Sequence, residues 1–200
     1  MKTPELWFIR HGETDWNKER RIQGQTDTPL NSKGHAQAGA IAQKLKRLHN
    51  NLEGFELHVS PLHRTRQTMQ YILDGFSLGW HDVRTDDRLK ELNFGVLEGS
   101  TWPELNARGI DPEKDAAGYH AFCPPEGESY ADATVRVANW LGSLTRPSIV
   151  VAHGGISRIV RGLVLDLPVQ DIPNQKNPQW QFYRLSNGVL DWFDAKSVET

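Results

Sequence analysis

Two apolar segments of this chain end in the same way, and this pair limits the possible folds more than any other feature. Residues 6–9 form an unbroken apolar run that leads into Arg10-His11-Gly12, and residues 148–152 lead into His153-Gly154-Gly155. A short unbroken apolar run is typical of a strand buried on both faces, as in parallel sheets. Ligands of open α/β sheets bind at the carboxyl ends of such strands. The sequence therefore predicts that the two histidines are neighbours at one sheet edge.

The remaining pattern predicts the fold class. Strands are expected at about 5–9, 55–60, 81–85, 148–152, 179–185 and 189–193, and Asn187-Gly188 is a strong signal for a hairpin between the last two. Helices are expected after Asn31, after Pro61, from Ser129 and from Gly155. Strands that alternate with helices predict an α/β fold: a three-layer α/β/α sandwich with a mixed, mostly parallel sheet. In the helix from Ser129, the core side is predicted as Ala131, Val135, Ala138 and Leu141.

Length and composition exclude several classes of protein. A chain of 200 residues suits a single domain over 1–200, with an irregular covering segment at about 100–125. The formal net charge of −2 gives no general attraction to nucleic acid or to an anionic membrane. No apolar run approaches the length of a membrane span, and the N-terminus leads into the first strand without a signal peptide. The expected location is therefore the cytoplasm, and a homodimer is left open.

The single cysteine, Cys123, excludes one kind of phosphatase. A cysteine phosphatase places an arginine six positions after its nucleophile, and Ser129 occupies that position here. One cysteine also provides neither a disulfide framework nor a zinc knuckle. A metal hydrolase needs clustered histidines and carboxylates, and no His-Glu-x-x-His motif occurs. We therefore expect no metal.

Five residues collected at the sheet edge suggest chemistry on phosphate: Arg10, His11, Arg64, Glu91 and His153. Two guanidinium groups suit an oxyanion with several oxygens, such as phosphate. A neutral imidazole can attack phosphorus, and a second, cationic histidine can stabilise the charge on its oxygens. Glu91 lies among Leu89, Leu92 and Phe94, where desolvation can raise the pKa of a carboxyl and suit it as a general acid. The alternative is a glutamate satisfied by a nearby arginine.

Several blocks of this sequence, in order, resemble a known family. They are Arg10-His11-Gly12-Glu13-Thr14 with Trp16-Asn17, then Gln23-Gly24, Ser60-Pro61-Leu62 with Arg64, Glu91-Leu92 with Glu98-Gly99, Gly127-Glu128-Ser129, and His153-Gly154-Gly155 with Arg158. Together they resemble the histidine phosphatase superfamily, with its phosphoglycerate mutase-like fold. The departures from the family pattern are small, such as Asn31 where threonine is commoner.

The resemblance implies specific roles. His11 would be the nucleophile and form a phosphohistidine, while Arg10, Arg64 and His153 would hold the phosphoryl group. Glu91 would be the acid and then the base that activates water. Asn17, Gln23, Gly24 and Gly154 would be substrate-binding residues. Members of the family need no metal and no other cofactor.

Within that family we expect a phosphomonoesterase that acts on a small phosphorylated metabolite. Mutase members resembling this chain carry a longer insertion before the Gly-Glu-Ser block, and the covering segment offers only Arg108 and Lys114 to bind a second phosphate. Trp102, Tyr119 and Phe122 suggest a partly apolar or aromatic leaving group. The alternatives are phosphoglycerate mutase-type transfer and a non-catalytic protein that binds phospho-ligands, although the latter would be expected to have lost some of these residues.

Overall fold

The computed structural model describes residues 3–111, 114 and 116–196. Six strands form one sheet: β1 (Leu6–Arg10), β2 (Glu56–Val59), β3 (Val83–Thr85), β4 (Ser148–Ala152), β5 (Gln181–Ser186) and β6 (Val189–Asp194). The helices are α1 (Asp15–Lys18), α2 (Ser32–Leu48), α3 (His63–Phe76), α4 (Trp102–Ala107), α5 (Ala116–Ala121), α6 (Tyr130–Gly142) and α7 (Gly154–Leu165). The predicted single domain over 1–200 includes residues 1–2, 112–113, 115 and 197–200, which lie outside the described ones.

The sheet is mixed and mostly parallel, as the sequence predicts. The strand order is β3-β2-β4-β1-β5-β6. The first four of these strands run parallel to one another, and β5 and β6 are antiparallel additions at one side. Asn187 and Gly188 both have positive φ, of 52° and 77°, as a two-residue hairpin turn requires. The predicted α/β sandwich is confirmed.

Alternation along the strands divides the core between the two faces of the sheet. Trp7 and Ile9 of β1 pack with α2 and α3, whereas Leu6 and Phe8 pack with α6 and α7. Side chains of a strand point alternately to the two faces of the sheet. A strand that is apolar at every position therefore needs other elements packed on both faces. The helices therefore lie in two layers, one on each side of the sheet.

The predicted core side of α6 is correct for Leu141 and wrong for Ala131, Val135 and Ala138, none of which is buried. Val135 is 64% exposed, and the buried residues of the helix are Tyr130, Ala133, Val137, Trp140 and Leu141. The two large aromatic side chains bury far more apolar surface than the alanines, so they determine which face of the helix turns inward. The N-terminus of α6 is as predicted, since Ser129 and Asp132 form a capping box.

No helix in the described part of the chain is long and apolar enough to cross a membrane.

Candidate active site

Strand pairing brings the two histidines together. In the parallel register of β1 with β4, Arg10 lies opposite Ala152, and the His11 backbone N–H donates to the Ala152 carbonyl at 3.0 Å. His11 and His153 are the next residues on each strand, and their ring centroids are 5.2 Å apart. The predicted neighbourhood of these residues is therefore present.

His11 lines a cavity of about 390 Å³. Of the predicted site residues, eight line it: Arg10, His11, Asn17, Gln23, Gly24, Arg64, Glu91 and Gly154. The ninth, His153, is fully buried next to His11. Residues from β1, α1, the 19–30 loop, α3, the 90–94 loop and α7 thus meet in one place.

The hydrogen bonding of His11 determines which ring nitrogen is available. Its Nδ1 lies 2.7 Å from the Gly12 carbonyl oxygen, which can only accept, so Nδ1 carries the proton. A neutral imidazole has one N–H and one lone pair, and the lone pair is therefore on Nε2. Burial, together with the charges of Arg64 and Arg10, lowers the pKa of His11 well below its ordinary value. His11 is consequently a neutral base with Nε2 free.

Two arginines of the cavity wall, Arg10 and the fully buried Arg64, are only partly satisfied. Arg64 donates from its terminal nitrogens to the carbonyls of Thr26 and Gly24, at 2.9 and 2.7 Å, and Arg10 donates to the Asn177 carbonyl at 2.7 Å. Both Nε groups are buried and have no partner among the described residues. Burial lowers the pKa of Arg10 to about 10, so both guanidinium groups remain charged at neutral pH. A buried, charged donor without an acceptor is costly unless an anion binds there.

His153 differs from the expectation of a cationic second histidine. It is fully buried, and desolvation together with Arg64, His11 and Arg10 lowers its pKa well below the ordinary value. The imidazole is therefore neutral when the site holds no anion. Its Nε2 lies 2.7 Å from Ser60 Oγ, and its Nδ1 has no partner in the described part of the chain.

Glu91 is held by the backbone at the start of α7. Both carboxylate oxygens accept from the Gly155 N–H at 3.1 Å, and one also accepts from the Leu92 N–H at 3.0 Å. The first turn of a helix offers backbone N–H groups that have no partner within the helix. From the sequence, Glu91 was expected either in an apolar pocket or in contact with an arginine side chain. In the structure its carboxylate contacts the first turn of α7 instead, and the residue lines the cavity.

A second carboxylate, that of Glu98, holds the loop whose carbonyls accept from Arg64. Glu98 accepts from the backbone N–H groups of Gln25 and Thr26, both at 2.8 Å. Gly24 has a φ of +52°, and a Cβ there would lie 1.9 Å from the Glu98 carboxylate. Glycine is therefore required where the loop presents the carbonyl that accepts from Arg64.

Sequence reasoning assigned no site role to three arginines that line the cavity. These are Arg20, Arg21 and Arg158. Arg108 and Lys114, the only cations that the sequence offered in the covering segment for binding a second phosphate, do not line the cavity. Arg158 lies one helical turn after Gly154, so its spacing of four residues was the available signal. It donates to the carbonyl of Gln175 and to the hydroxyl of Tyr130.

The covering segment supplies part of an aromatic wall. Phe94, Trp102, Tyr119 and Tyr130 line the cavity. Phe122, which was expected to join them, packs instead against the hydrophobic clusters beneath. Residues 112–113 and 115 of the segment lie outside the described residues.

No group of three or more histidine, cysteine, aspartate or glutamate residues that could hold a metal ion occurs within the described ranges. The residues that line the cavity are instead rich in hydrogen-bond donors, above all arginines.

Comparison with known proteins identifies the family. The sequence profile of the histidine phosphatase superfamily (branch 1) matches residues 6–188. This chain belongs to that superfamily. A relative from Shigella dysenteriae serotype 1, named "Probable phosphoglycerate mutase GpmB", is 36% identical over 171 residues, which is 82% of this chain and 76% of the relative.

Solved structures of other superfamily members share the architecture. A mycobacterial glucosyl-3-phosphoglycerate phosphatase, solved with VO3, is 29% identical with a TM-score of 0.78, and the match covers 96% of both chains. The alpha-ribazole phosphatase of Shigella flexneri is 21% identical with a TM-score of 0.77 over 96% of both chains, a likeness that concerns the fold alone. The predicted family is therefore confirmed, and both phosphatases and mutases are represented among the similar proteins.

Proposed function

We propose that this histidine phosphatase superfamily member is a metal-independent phosphomonoesterase that hydrolyses a small phosphorylated metabolite through a phosphohistidine on His11. One observation supports this above the others. The free lone pair of His11 Nε2 shares the site with two buried guanidinium N–H donors that have no partner among the described residues, on Arg10 and Arg64, and with the equally unpartnered Nδ1 of His153. A tetrahedral phosphoryl group supplies the acceptor oxygens that these donors lack.

In the first step, His11 Nε2 attacks phosphorus and the ester P–O bond breaks. Arg10, Arg64 and His153 donate to the phosphoryl oxygens, where charge increases in the transition state. Glu91, as the acid, gives its proton to the leaving oxygen, which departs as an alcohol. His11 now carries the phosphoryl group on Nε2.

In the second step, Glu91 takes a proton from water as the water oxygen attacks phosphorus. The N–P bond breaks, and its electron pair returns to His11 Nε2. Inorganic phosphate leaves, and Glu91 is again protonated, so that the enzyme returns to its starting state.

The aromatic wall suggests which phosphate esters bind with the lowest KM. Trp102 and Tyr119 lie at right angles to each other with ring centroids 6.1 Å apart, and both line the cavity. We expect Trp102→Ala to raise KM about fivefold for an aryl phosphate and to change KM less for a small aliphatic ester, because stacking on an aromatic ring contributes about 1 kcal/mol.

The experiment is phosphate release from a panel of esters with EDTA present. The panel contains an aryl phosphate, 3-phosphoglycerate, sugar phosphates and nucleotides. Release that survives the chelator and falls at least about 10³-fold in His11→Ala is expected, because nucleophile removal has effects of this size. The ester with the highest kcat/KM then narrows the substrate.

His81→Ala is the matched control, because His81 is 84% exposed and does not line the cavity. It should retain wild-type turnover. Turnover of His11→Ala equal to wild type would contradict the mechanism, and no release from any ester would favour the mutase or a binding protein.

A mutase reaction remains the second candidate, and one structural observation favours it. A mutase must hold a second anionic group, and Arg20, Arg21 and Arg158 supply positive charge in the same cavity. Arg20 also adopts a left-handed backbone conformation, with φ of 59°. The shortage of cations that the sequence suggested therefore does not hold for the structure.

The two reactions are separated by following 3-phosphoglycerate with a bisphosphate primer by ³¹P NMR. A phosphatase produces inorganic phosphate, with or without the primer. A mutase produces an isomeric monophosphate, only with the primer, and releases little phosphate.

A further inference from the structure

Ser60 lies directly beneath His153. The residue follows β2, is fully buried, and its backbone N–H donates to the Val151 carbonyl at 3.1 Å. This backbone bond joins β2 to β4 whatever the side chain is. The hydroxyl makes a separate contact, 2.7 Å from His153 Nε2.

Only one arrangement of protons satisfies both groups. The other contact of Ser60 Oγ among the described residues is the Leu62 backbone N–H at 3.4 Å, which is a donor. If His153 Nε2 carried the proton, the Ser60 hydroxyl hydrogen would have no acceptor in the described part of the chain. If Ser60 donates to Nε2, every group is satisfied except His153 Nδ1, which then carries the proton.

We propose that Ser60 is a positioning residue that fixes the tautomer of His153, so that the neutral imidazole presents an Nδ1–H donor to the phosphoryl group. The role within catalysis rests on the proposed phosphatase function. His11 and His153 then have the same tautomer but offer opposite groups to the ligand: His11 a lone pair, and His153 an N–H.

This assignment explains how a histidine with a lowered pKa can still bind an anion. His153 needs no positive charge, because the Ser60 hydroxyl places the proton of the neutral ring on the nitrogen without a partner. Without the hydroxyl, the proton is free to move to Nε2. The ring would then offer a lone pair to the phosphoryl oxygens, which repels them.

The tautomer is read directly by two-bond ¹H–¹⁵N correlation NMR of protein labelled with ¹⁵N-histidine at pH 8. The signals of His153 are identified by their loss in His153→Gln. In the wild type we expect a protonated Nδ1 and an unprotonated Nε2, and in Ser60→Ala a mixture that includes protonated Nε2. Ser60→Thr, which retains the hydroxyl, should restore the wild-type pattern.

Binding of inorganic phosphate is measured by calorimetry on the same variants. Ser60→Ala should weaken it about tenfold, as expected for a lost hydrogen bond to a charged group, and Ser60→Thr should weaken it less. Ser148→Ala is the control for loss of a buried serine hydroxyl, because Ser148 is fully buried in β4 and its hydroxyl donates to the Arg146 carbonyl, away from the histidines. It should bind phosphate as the wild type does.

A protonated Nε2 in the wild type, or an unchanged tautomer and phosphate affinity in Ser60→Ala, would overturn the proposal. Neither measurement needs turnover, so a protein that hydrolyses no ester can still show the tautomer effect. Conversely, wild-type turnover with no tautomer change in Ser60→Ala would leave the phosphatase proposal intact and remove the role of Ser60.

Discussion

At the residue scale, the chemistry of the site follows from where single protons lie. The Gly12 carbonyl fixes the proton of His11 on Nδ1, and the two arginines hold the ring neutral by adding positive charge nearby. Desolvation alone would already disfavour the imidazolium form. The lone pair of His11 Nε2 is therefore available at neutral pH without a separate base, as the proposed nucleophilic attack requires.

The lowered pKa values of His11 and His153 make stability depend on pH. In the unfolded chain a histidine takes up a proton at about pH 6.5, whereas in the folded protein both remain neutral to lower pH. Between these limits the unfolded state binds more protons, so stability is complete above about pH 6.5 and is lost as pH falls towards the folded pKa values. Each histidine contributes up to about 1.4 kcal/mol per pH unit.

Urea unfolding at pH 7.5 and pH 5.5 measures this loss. His153→Gln should lose less free energy of unfolding between the two pH values than the wild type, and the exposed-site control His81→Gln should behave as the wild type. Equal losses in wild type and His153→Gln would contradict the lowered pKa of His153.

Glu91 is tested through the leaving group. Glu91→Gln retains the shape of the side chain but has no proton to donate, so esters of poorly acidic alcohols should slow by about 10²-fold or more, the usual contribution of a general acid. Aryl phosphates with good leaving groups should slow much less. The measurement is kcat/KM across a leaving-group series, because kcat/KM reports the step in which the alcohol leaves and not the later attack of water. Equal slowing of kcat/KM throughout would mean that Glu91 is not the acid.

At the element scale, α7 does more than cover the sheet. Its first turn contains Gly154 on the cavity wall and Gly155, whose N–H holds Glu91. The strand before it positions His153. One β-loop-α unit thus aligns Glu91, the proposed acid, with His153 and Gly154.

Gly155→Ala tests this alignment. A Cβ at this position would lie 2.1 Å from Leu92 Cδ1 and 2.6 Å from a Glu91 carboxylate oxygen, so both must move. We expect kcat for poor leaving groups to fall about tenfold, since small displacements of catalytic groups have effects of this order or larger. Gly142→Ala, in α6 with open space around the Cβ, is the control and should keep wild-type activity.

The elements were predictable where the sequence signal is local, and less so where packing decides. The two apolar runs, the Ser129 cap and the Asn187-Gly188 turn determine their own structure, so their positions were correct. The inward face of α6 was predicted wrongly, apart from Leu141, because it depends on how Trp140 packs against core residues of other elements.

The site shows the same division between local and tertiary information. The nine predicted residues come together, because they lie at strand ends or adjoining loops whose positions follow from the fold. The protonation of His153 could not be predicted, since it depends on Arg64 and Arg10 from other elements. The contact between Glu91 and the N-terminus of α7 is likewise tertiary.

At the scale of the whole molecule, charge is distributed unevenly. The chain has a formal net charge of −2, but the cavity lining contains five arginines and one glutamate. Concentrated positive charge in a concave, partly apolar site attracts anions from solution despite the net negative charge. The molecule thus directs anions to one place.

The attraction should depend on ionic strength. We expect kcat/KM for a phosphate ester to fall about threefold or more between about 20 mM and 500 mM salt, because screening lengths shorten over this range. Arg20→Gln should reduce both kcat/KM at low salt and its salt dependence, whereas Arg108→Gln, outside the cavity lining, should change neither. A salt dependence that Arg20→Gln leaves unchanged would show that Arg20 does not contribute.

The central claim is that His11 Nε2 becomes phosphorylated during turnover. The most direct test is to quench the enzyme with base during hydrolysis of a good ester and to locate the phosphate by ³¹P NMR and mass spectrometry. We predict an acid-labile, base-stable phosphate on Nε2 of His11 that is absent from His11→Ala. Phosphate on Nδ1 or on another residue, or none while hydrolysis proceeds, would contradict the account.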